Sequence, residues 1–359
     1  MKKIVIYTTW DLDPKKGTGV AVALSSLISL MKKKNIKFKF LNKCVKSHFF
    51  MLLTLKRIMN NFFNNSEIAK LKPAIVLGVD FDGFFILKKN YKYILNLRSN
   101  FSEIKKCESG IMKITCLIEE FFQKRAVKNA DLIIVASNYT RNAVIKNYKL
   151  EENKVLIIPN GVDHNLFTAN KVIVPRENIL LSVSALYPRK GIDFLIKALK
   201  ILKDQNFLFK YYHIGDGVMK MELQNLVKKL DLEKEVIFLG GISDRKTVAR
   251  IYNKTKIFCH PCLQEDFGNI FLEAMSSGKP LISFKNSVTP EFITDGKNGF
   301  LVENKNIFEL ADRIKRLFLD NELCYSMGVE NIKRASRYDW DKTAVAFIDV
   351  FESLSKEKN

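Results

Sequence analysis

The stretch that decides the fold is "NILLSVSALYPRKGIDFLIKALKILKD", residues 178–204. Residues 178–186 are apolar or small and show no alternation with polar residues, which is typical of a strand buried on both faces of a parallel sheet. Residues 191–204 place apolar side chains three and four positions apart, which predicts a helix with one buried face. A strand, a short turn and a helix in this order predict one βα unit of a parallel sheet.

The same unit recurs along the 359 residues, a length that favours two domains. Strands are predicted over 4–9, 38–42, 74–79, 93–97, 132–137 and 155–159 in the first half and over 178–186, 210–215, 236–240, 256–260, 280–284 and 300–303 in the second. Longer stretches between them have helical spacing. The sequence therefore predicts an α/β protein of two doubly wound, Rossmann-like domains.

The predicted domain boundary lies in the segment 160–179. This segment is polar, contains an Asn-Gly turn and interrupts the alternation of strands and helices. We expect one domain over 1–168 and a second over 169–338. The segment 339–354, "DWDKTAVAFIDVFESL", has apolar positions at helical spacing, so residues 339–359 are expected to form a helix that packs back on the first domain.

The net charge of +21 is carried mainly by the first half of the chain. Residues 1–170 contain 29 Lys and Arg against 13 Asp and Glu, whereas residues 171–359 contain 30 against 25. Nucleic acid, anionic membrane and phosphorylated ligands are candidate partners, and a lysine-rich genome explains part of the bias equally well. The segment 45–63, "VKSHFFMLLTLKRIMNNFF", is either an amphipathic helix on an anionic membrane or a crossover helix whose apolar side packs on the sheet.

The six cysteines are scattered and indicate no disulfide framework, which fits a reducing cytoplasm. The chain shows no signal-peptide pattern, so we expect a cytoplasmic protein, peripheral on the inner face of the cell membrane if its basic side binds lipid. Cys259-His260-Pro261-Cys262 could be a redox dithiol or half of a zinc site. A structural role is favoured because no second Cys/His pair lies at zinc-binding spacing, and no metal site is expected.

Several predicted strands end in turns that suit a phosphate. Gly17 and Gly19 open a helix after the first strand, and the N–H groups of a helix start attract anions. The turn lacks a full Rossmann fingerprint, and an ordinary strand–helix turn is as good an explanation. Arg189 and Lys190 follow another strand and could neutralise a diphosphate, or form a solvated basic turn. Gly215, in "HIGDG" (213–217), would let a ligand approach the backbone.

The stretch "QEDFGNIFLEAMSSGKP" (264–280) contains two glutamates, Glu265 and Glu273. Asn269 is a plausible N-cap of a short helix that ends before Gly278 and Pro280. The backbone N–H groups next to the helix start would then point at an anion. On spacing alone, the two acids could be a hydrolase pair, a metal site, a clamp for a sugar and its nucleotide, or part of a buried turn.

Together these motifs resemble those of the retaining glycosyltransferases of family four, which have the two-domain GT-B fold. The resemblance covers nearly the whole chain. It rests on "QEDFGNIFLEAMSSGKP", "YPRKGIDFLIKAL" (187–199), "HIGDG", "SNYTRNAVI" (137–145), "IPNGVDHNLF" (158–167) and "GTGV" (17–20). It implies an acceptor-binding domain over 1–168 and a donor-binding domain over 169–338 that face each other across a central cleft.

The resemblance also implies a role for each matching residue. Lys190 and Arg189 would hold the donor diphosphate, Glu265 would lie near the transferred sugar, and Glu273 would bind the ribose. The remaining donor-binding candidates are Gly17, Gly19, Gly215, Phe267, Gly268, Asn269 and Ile270, and the acceptor-side candidates are Arg98 and Asn160. Two positions depart from the family pattern: Ser184-Ala185 stands where many members have Gly-Arg, and "LNLRSN" (95–100) offers Arg98 but no histidine.

The activity implied is transfer of a hexose or N-acetylhexosamine, with retention, from a nucleotide-sugar to a glycan, glycolipid or lipid-linked acceptor. No metal or other cofactor is expected, a UDP-sugar is favoured over a GDP-sugar, and nucleic acid is not expected as a partner. Two alternatives stay open at this point. One is a glycoside hydrolase that uses Glu265 and Glu273 as acid and base; the other is a non-catalytic basic protein that binds nucleic acid or membrane.

Overall fold

The computed structural model describes residues 3–10, 19–44, 50–86, 90–167 and 172–356. They form two compact units. The first contains the described residues up to Asn160 together with those from Trp340 onward, and the second is Gly161–Asp339. The boundaries predicted from the sequence are 168/169 and 338/339. The segment after Asn160 belongs to the second unit because Val162 pairs with Asp339 and the Phe167 ring packs edge-on against Tyr252.

Each unit contains a six-stranded sheet whose strand pairs are all parallel. The first sheet consists of β1 (Ile4–Thr8), β2 (Phe38–Asn42), β3 (Ile75–Val79), β4 (Lys92–Asn96), β5 (Leu132–Val135) and β6 (Val155–Ile157). The second consists of β7 (Ile179–Val183), β8 (Lys210–Ile214), β9 (Val236–Gly240), β10 (Ile257–Cys259), β11 (Leu281–Phe284) and β12 (Gly299–Val302). Each overlaps one predicted strand, so the two doubly wound domains are confirmed.

Helices connect most of the successive strands, since parallel strands need crossover connections. They are α1 (Gly19–Lys33), α2 (Phe50–Lys70), α3 (Phe101–Ile104), α4 (Gly110–Asn129), α5 (Asn138–Tyr148), α6 (His164–Phe167), α7 (Ile192–Asp204), α8 (Lys220–Lys229), α9 (Arg245–Lys254), α10 (Asn269–Ser276), α11 (Thr289–Phe292), α12 (Ile307–Leu319), α13 (Asn321–Ala335) and α14 (Trp340–Lys356). Short 3₁₀ turns cover Lys105–Cys107, Glu152–Lys154 and Pro188–Lys190. Among the described helices, none combines the length and the hydropathy needed to cross a bilayer.

The strand order of each sheet defines where a ligand would bind. The first sheet has the order β2-β1-β3-β4-β5-β6 and the second β12-β11-β10-β7-β8-β9. Successive strands are added in one direction and then in the other, so the order reverses between β1 and β3 and between β7 and β10. In doubly wound sheets, ligands bind beyond the carboxyl ends of the strands at such a reversal.

The C-terminal helix α14 packs on the first unit, as the sequence predicts. Its buried residues Ala344, Phe347 and Phe351 lie in one apolar cluster with Leu24 and Leu27 of α1 and with residues of β1 and β3. Thr343 donates a hydrogen bond of 2.8 Å to the carbonyl of Pro159, which fixes the start of the helix beside the end of the first unit.

Candidate functional site

The candidate site of the second unit lies at the reversal between β7 and β10. Two turns leave the carboxyl ends of these strands, one over 184–191 and the other over 260–268. The N–H of Leu263 donates a hydrogen bond of 2.7 Å to the carbonyl of Arg189, so the two turns are joined through their backbones. This contact brings together side chains that are about 75 positions apart in the chain.

Lys190, Glu265 and His260 form a buried cluster at the joined turns. The Lys190 Nζ donates to Oε2 of Glu265, and Nε2 of His260 lies 3.3 Å from the same oxygen. The side chains of Lys190 and Glu265 are 10% and 17% exposed, and His260 is fully buried. The structure therefore brings two of the predicted catalytic residues, Lys190 and Glu265, into direct contact. It adds His260, which the sequence analysis considered only as part of the Cys259–Cys262 motif.

The charges of this cluster follow from its surroundings. Burial opposes the ionisation of Glu265, but the Lys190 ammonium and the hydrogen bond with His260 outweigh it and hold the pKa of that carboxyl below its usual range. Burial, aided by Lys190 and Arg189, lowers the pKa of His260 despite its contact with Glu265. At neutral pH the imidazole is therefore uncharged, and its Nε2–H donates to a carboxylate that stays ionised.

Arg189 lies next to this cluster in the chain and in space. Its guanidinium is 5.3 Å from the centre of the Tyr187 ring, and its charge contributes to the lowered pKa values of His260 and Glu265. Ala185 stands where many members of the family have an arginine, and its side chain carries no charge. The turn thus contains two adjacent cations, Arg189 and Lys190, at the end of β7.

Gly215 lies at the end of β8, the neighbour of β7, and its backbone passes very close to the first turn. Its φ is +139°, and a Cβ at this position would lie 1.8 Å from the carbonyl oxygen of Ser184. Glycine is therefore required here by the backbone contact itself. This predicted donor-binding glycine lies at the carboxyl edge of the sheet, where it lets two strand ends approach each other.

Glu273 lies on α10 and has its own partners. Its Oε1 accepts a hydrogen bond of 2.5 Å from Arg245, and its Oε2 lies 3.4 Å from the Tyr252 hydroxyl. The Arg245 guanidinium stacks over the Phe167 ring at 4.9 Å. Arg245 and Tyr252, which lie on α9, were not predicted from the sequence, because nothing in their local pattern indicates that α9 faces α10.

The helix α10 begins differently from the prediction. Asn269 is its first residue and not its cap, because Gly268 occupies the cap position with a φ of +78°. A Cβ at Gly268 would lie 2.8 Å from the Phe271 ring and 3.0 Å from Cγ of Glu265, so this position has no room for a side chain. Asn269 and Ile270 are the first two residues of α10, so their N–H groups lie at the positive end of the helix dipole.

Phe267, just before this cap, is a core residue. Its ring packs edge-on against Phe292 and Tyr338, with centroids 5.2 and 6.3 Å apart. The Phe267 ring is therefore part of the core, and the predicted role of this residue in donor binding would fall to its backbone N–H.

The cysteines near the site are structural. Cys259 and Cys262 are fully buried free thiols, and burial raises the pKa of Cys259 well above its usual value and that of Cys262 to about 12. Both stay protonated at neutral pH, which makes them poor nucleophiles and poor metal ligands. Within the described ranges, no three His, Cys, Asp or Glu side chains form a group that could hold a metal ion.

The first unit carries a second polar cluster at its own reversal, between β1 and β3. Asp82 accepts hydrogen bonds from Thr8 Oγ1 (3.1 Å), the Thr9 N–H (2.8 Å) and Asn61 (3.0 Å). All four residues are buried. This cluster was not predicted from the sequence, because its residues come from separate segments with no shared motif.

The acceptor-side candidates lie near that cluster. The Arg98 guanidinium donates to Oδ1 of Asn160, so the structure brings these two residues into contact. Asp80 fixes the backbone there by accepting hydrogen bonds from the N–H groups of Arg98 (2.8 Å) and Ser99 (2.7 Å). Gly19 is the first residue of α1, and Gly17 lies outside the described residues.

Two family models match the chain. Residues 163–334, nearly the whole second unit, match the model described as glycosyl transferases group 1. Residues 63–166 match the model described as glycosyltransferase family 4. Together the two matches cover about three quarters of the chain.

Individual relatives agree with these models. An uncharacterized glycosyltransferase of Methanocaldococcus jannaschii is 34% identical over 66% of this chain, and the match spans 63% of that relative's own length. The sucrose-phosphate synthase of Thermosynechococcus elongatus superimposes with a TM-score of 0.82 at 18% identity over 99% of both chains. Anabaena HepE, solved with UDP and glucose, superimposes with a TM-score of 0.73 at 19% identity over 98% of this chain and 100% of its own.

Proposed function

We propose that this chain, which belongs to the family-four glycosyltransferases of the GT-B fold, transfers a sugar from a nucleotide-sugar to a hydroxyl group of an acceptor. The observation that carries the proposal is the cluster of Lys190, Glu265 and Arg189 at the reversal point of the second sheet. Two adjacent cations at a strand end, beside a helix start, suit a diphosphate.

In this proposal Lys190 changes its partner when the donor binds. Without donor, its ammonium neutralises Glu265. A diphosphate carries more negative charge than one carboxylate, so it would compete for the ammonium and release Glu265 towards the sugar. Lys190 and Arg189 would then stabilise the negative charge that develops on the leaving nucleotide.

Glu273 would hold the other end of the donor. A carboxylate accepts two hydrogen bonds from the adjacent hydroxyls of a ribose, as acidic residues do in other nucleotide-binding folds. Arg245 and Tyr252 orient the Glu273 carboxylate. The N–H groups of Asn269 and Ile270 would bind a donor oxygen between the two glutamates.

The transfer is proposed to proceed with retention and without a metal ion. The bond between the sugar C1 and the phosphate oxygen breaks, and the acceptor oxygen bonds to C1 on the same face. The acceptor proton passes to the leaving phosphate oxygen. Lys190, Arg189 and the start of α10 would supply the positive charge that a metal supplies elsewhere.

The hydrolase alternative is not favoured. A glycosidase of this kind needs one carboxyl group that is protonated at neutral pH. The pKa of Glu265 is held below its usual range, and Glu273 is paired with Arg245. Glu265 is therefore not set up to donate a proton, and Glu273 is engaged by Arg245. The family match gives no support to a non-catalytic role.

We propose UDP as the nucleotide and a hexose or N-acetylhexosamine as the sugar. The choice of UDP is supported by the HepE structure, which contains it. The acceptor is proposed to be a glycan, a glycolipid or a lipid-linked sugar, bound by the first unit near Arg98 and Asn160.

The decisive experiment measures release of nucleoside diphosphate from UDP- and GDP-sugars by the purified protein. We expect release from a UDP-sugar, and a loss of about 10²–10³-fold in kcat for Lys190→Ala, since one electrostatic contact to a developing charge is removed. Lys197→Ala is the matched control because Lys197 is a half-exposed lysine of α7 that pairs with Asp193 one turn away.

Two results would count against the proposal. Near wild-type turnover by a folded Lys190→Ala protein would refute the diphosphate role. An NMR spectrum of the product in which the anomeric configuration of the sugar is inverted would refute retention while leaving transfer itself intact.

A further inference from the structure

The helices α2 and α4 of the first unit expose the apolar side that a helix normally buries. On a helix of a globular protein, the apolar stripe faces the core and the polar side faces water. In these two helices many apolar side chains face outward, and polar side chains occupy a large part of the buried face. Both helices show this pattern, and they pack against each other.

On α2 the buried face is largely polar, although Ile58 and Ile68 are buried there as well. Thr54, Arg57 and Asn61 are buried, at spacings of three and four residues. The opposite stripe is exposed and apolar, and consists of Met51, Leu52, Leu55, Met59, Phe62 and Phe63. A crossover helix with its apolar side on the sheet was one of the two expectations for this segment; in the structure most of that side does not pack on the sheet.

On α4 the pattern is the same. Its buried face includes Thr115, Glu119 and Gln123. Its exposed stripe is formed by Ile111, Ile114, Leu117 and Phe121.

A polar seam joins the two helices on their buried sides. Arg57 forms an ion pair of 3.2 Å with Glu119, and Thr54 donates a hydrogen bond of 2.9 Å to the same carboxylate. This seam fixes the rotation of both helices about their axes. It is therefore what turns the two apolar stripes outward.

Aromatic contacts connect the two stripes. Phe62 of α2 packs on Phe84 and Phe85, Phe84 packs on Phe122 of α4, and Phe122 packs edge-on against Phe121. The ten exposed residues of the two stripes lie on two helices that pack against each other, and we call them the α2–α4 apolar face. Exposed apolar surfaces of this extent mark sites of interaction.

The exposed charges on the two helices have one sign. The exposed charged side chains of the two helices are Lys56, Lys70, Lys113, Lys124, Arg125 and Lys128. Their acidic side chains are buried or half-buried: Glu119 pairs with Arg57, Glu120 with Lys105 and Glu67 with Lys43. An apolar surface with a basic border matches the interface of an anionic lipid leaflet, where acyl chains lie beneath negative headgroups.

We propose that the α2–α4 apolar face docks on an anionic membrane surface. A second copy of the chain fits less well, because a symmetric dimer would bring two identical basic borders together. The proposal concerns where the protein works and does not depend on the transfer reaction.

The test is flotation of the purified protein with vesicles of phosphatidylcholine alone or with 30 mol% phosphatidylglycerol, at low salt. We expect flotation with the anionic vesicles and little with the neutral ones. The double variant Phe63→Ser/Phe121→Ser removes the two most exposed rings of the face, which are 73% and 65% exposed. It should lower the vesicle partition coefficient by about tenfold or more, since each ring loses apolar area that the bilayer would bury.

The matched control is Leu208→Ser/Met221→Ser, which removes two apolar side chains of the second unit that are 86% and 75% exposed. It should float like the wild type. Both double variants change exposed residues only, so thermal unfolding should show folded proteins. Failure of the wild type to float with anionic vesicles, or equal flotation of the two variants, would overturn the proposal. A third result would also overturn it: light scattering that shows a wild-type dimer and a monomeric Phe63→Ser/Phe121→Ser variant, with no vesicle binding by either protein.

Discussion

Glu265 and Glu273 are the same residue type on one short segment, yet their surroundings give them different properties. Glu265 shares a cluster with Lys190 and His260, whereas Glu273 is held by Arg245 and Tyr252. The spacing of the two acids and the helix that begins between them could be predicted from the local sequence. Their partners could not, because contacts across 75 and 28 positions depend on how strands are ordered in the sheet.

Replacement of Glu273 by alanine should weaken donor binding more than it slows transfer. The ribose would lose a charged acceptor, and hydrogen bonds to charged groups contribute about 1.5–3 kcal/mol. We expect the KM for the nucleotide-sugar to rise about 10–100-fold with a smaller change in kcat. Initial rates against donor concentration measure both, and titration calorimetry with UDP measures binding alone.

Glu330→Ala is the control for this substitution. Glu330 is also a glutamate of the second unit paired with an arginine, Arg334, but on α13 at a distance of one helical turn. Its loss should leave KM unchanged. A folded Glu273→Ala protein with an unchanged KM for the donor would show that Glu273 only supports α9 and α10.

At the level of elements, the start of α10 combines backbone conformation with steric contact. Gly268 has a φ of +78°, and a Cβ there would meet the Phe271 ring and Glu265; Gly296 has a φ of +74°, and a Cβ there would enter open space. Gly268→Ala and Gly296→Ala therefore incur the same backbone strain, about 1 kcal/mol. Only the first also displaces Glu265 and the helix start.

We expect Gly268→Ala to lower the free energy of unfolding by more than Gly296→Ala and to reduce turnover at least tenfold. Chemical denaturation and the nucleotide-release assay measure the two effects. Equal losses in both variants would show that α10 does not depend on the close packing at Gly268.

The strands were predictable and the orientation of two helices was not, for a physical reason. A strand buried on both faces is apolar at nearly every position, so apolar runs such as those of β3 and β5 were sufficient to predict the centre of a sheet. An amphipathic helix has two faces, and its sequence does not state which one is buried. On α2 and α4 the decision rests on the ion pair between Arg57 and Glu119, which joins separate segments.

That ion pair predicts a pH dependence for the first unit. Burial raises the pKa of Glu119 from 4.5 to about 7, against the opposing effect of Arg57. Between pH 4.5 and about 7 the Glu119 carboxyl has lost its proton in the unfolded chain but keeps it in the folded chain. The free energy of unfolding therefore falls as pH rises through this range. Glu119 should account for a decrease on the order of 2 kcal/mol between pH 5 and 8.

Glu119→Gln should flatten this dependence, since glutamine has no proton to release. Tryptophan fluorescence during urea unfolding is a suitable measurement because both tryptophans, Trp10 and Trp340, belong to the first unit. Thr54→Val, which removes a hydrogen bond to Glu119 without removing the acid, is the control and should keep the slope. If the free energy of unfolding of Glu119→Gln varied with pH in parallel with that of the wild type, Glu119 would not be the source of the pH dependence.

At the scale of the whole molecule, the two units differ in how far the sequence could predict their sites. The second unit carries its candidate residues on short turns at strand ends, which are local patterns. The first unit assembles its polar cluster from Thr8, Asn61 and Asp82, which share no motif. Candidate residues of the second unit could therefore be named from local patterns, although Arg245 and Tyr252 were missed. In the first half of the chain only Gly17, Gly19, Arg98 and Asn160 were named.

The helix α14 belongs to the first unit although it follows the second unit in the chain. Phe347 is fully buried among residues of the first unit, and Leu199 of α7 is fully buried in the second. Either residue replaced by alanine should cost about 2–5 kcal/mol through lost burial and a cavity. The two losses should, however, appear in different parts of the molecule, because each core belongs to a separate compact unit.

Hydrogen exchange followed by mass spectrometry locates the two losses. We expect Phe347→Ala to increase exchange in α1, β1 and β3, far from Phe347 in the chain, while β7 and β8 stay protected. Leu199→Ala should produce the reverse pattern and thus serves as the matched control. If Phe347→Ala increased exchange in β7 and β8 as strongly as in β1 and β3, the two units would unfold as one, and α14 could not be assigned to the stability of the first unit alone.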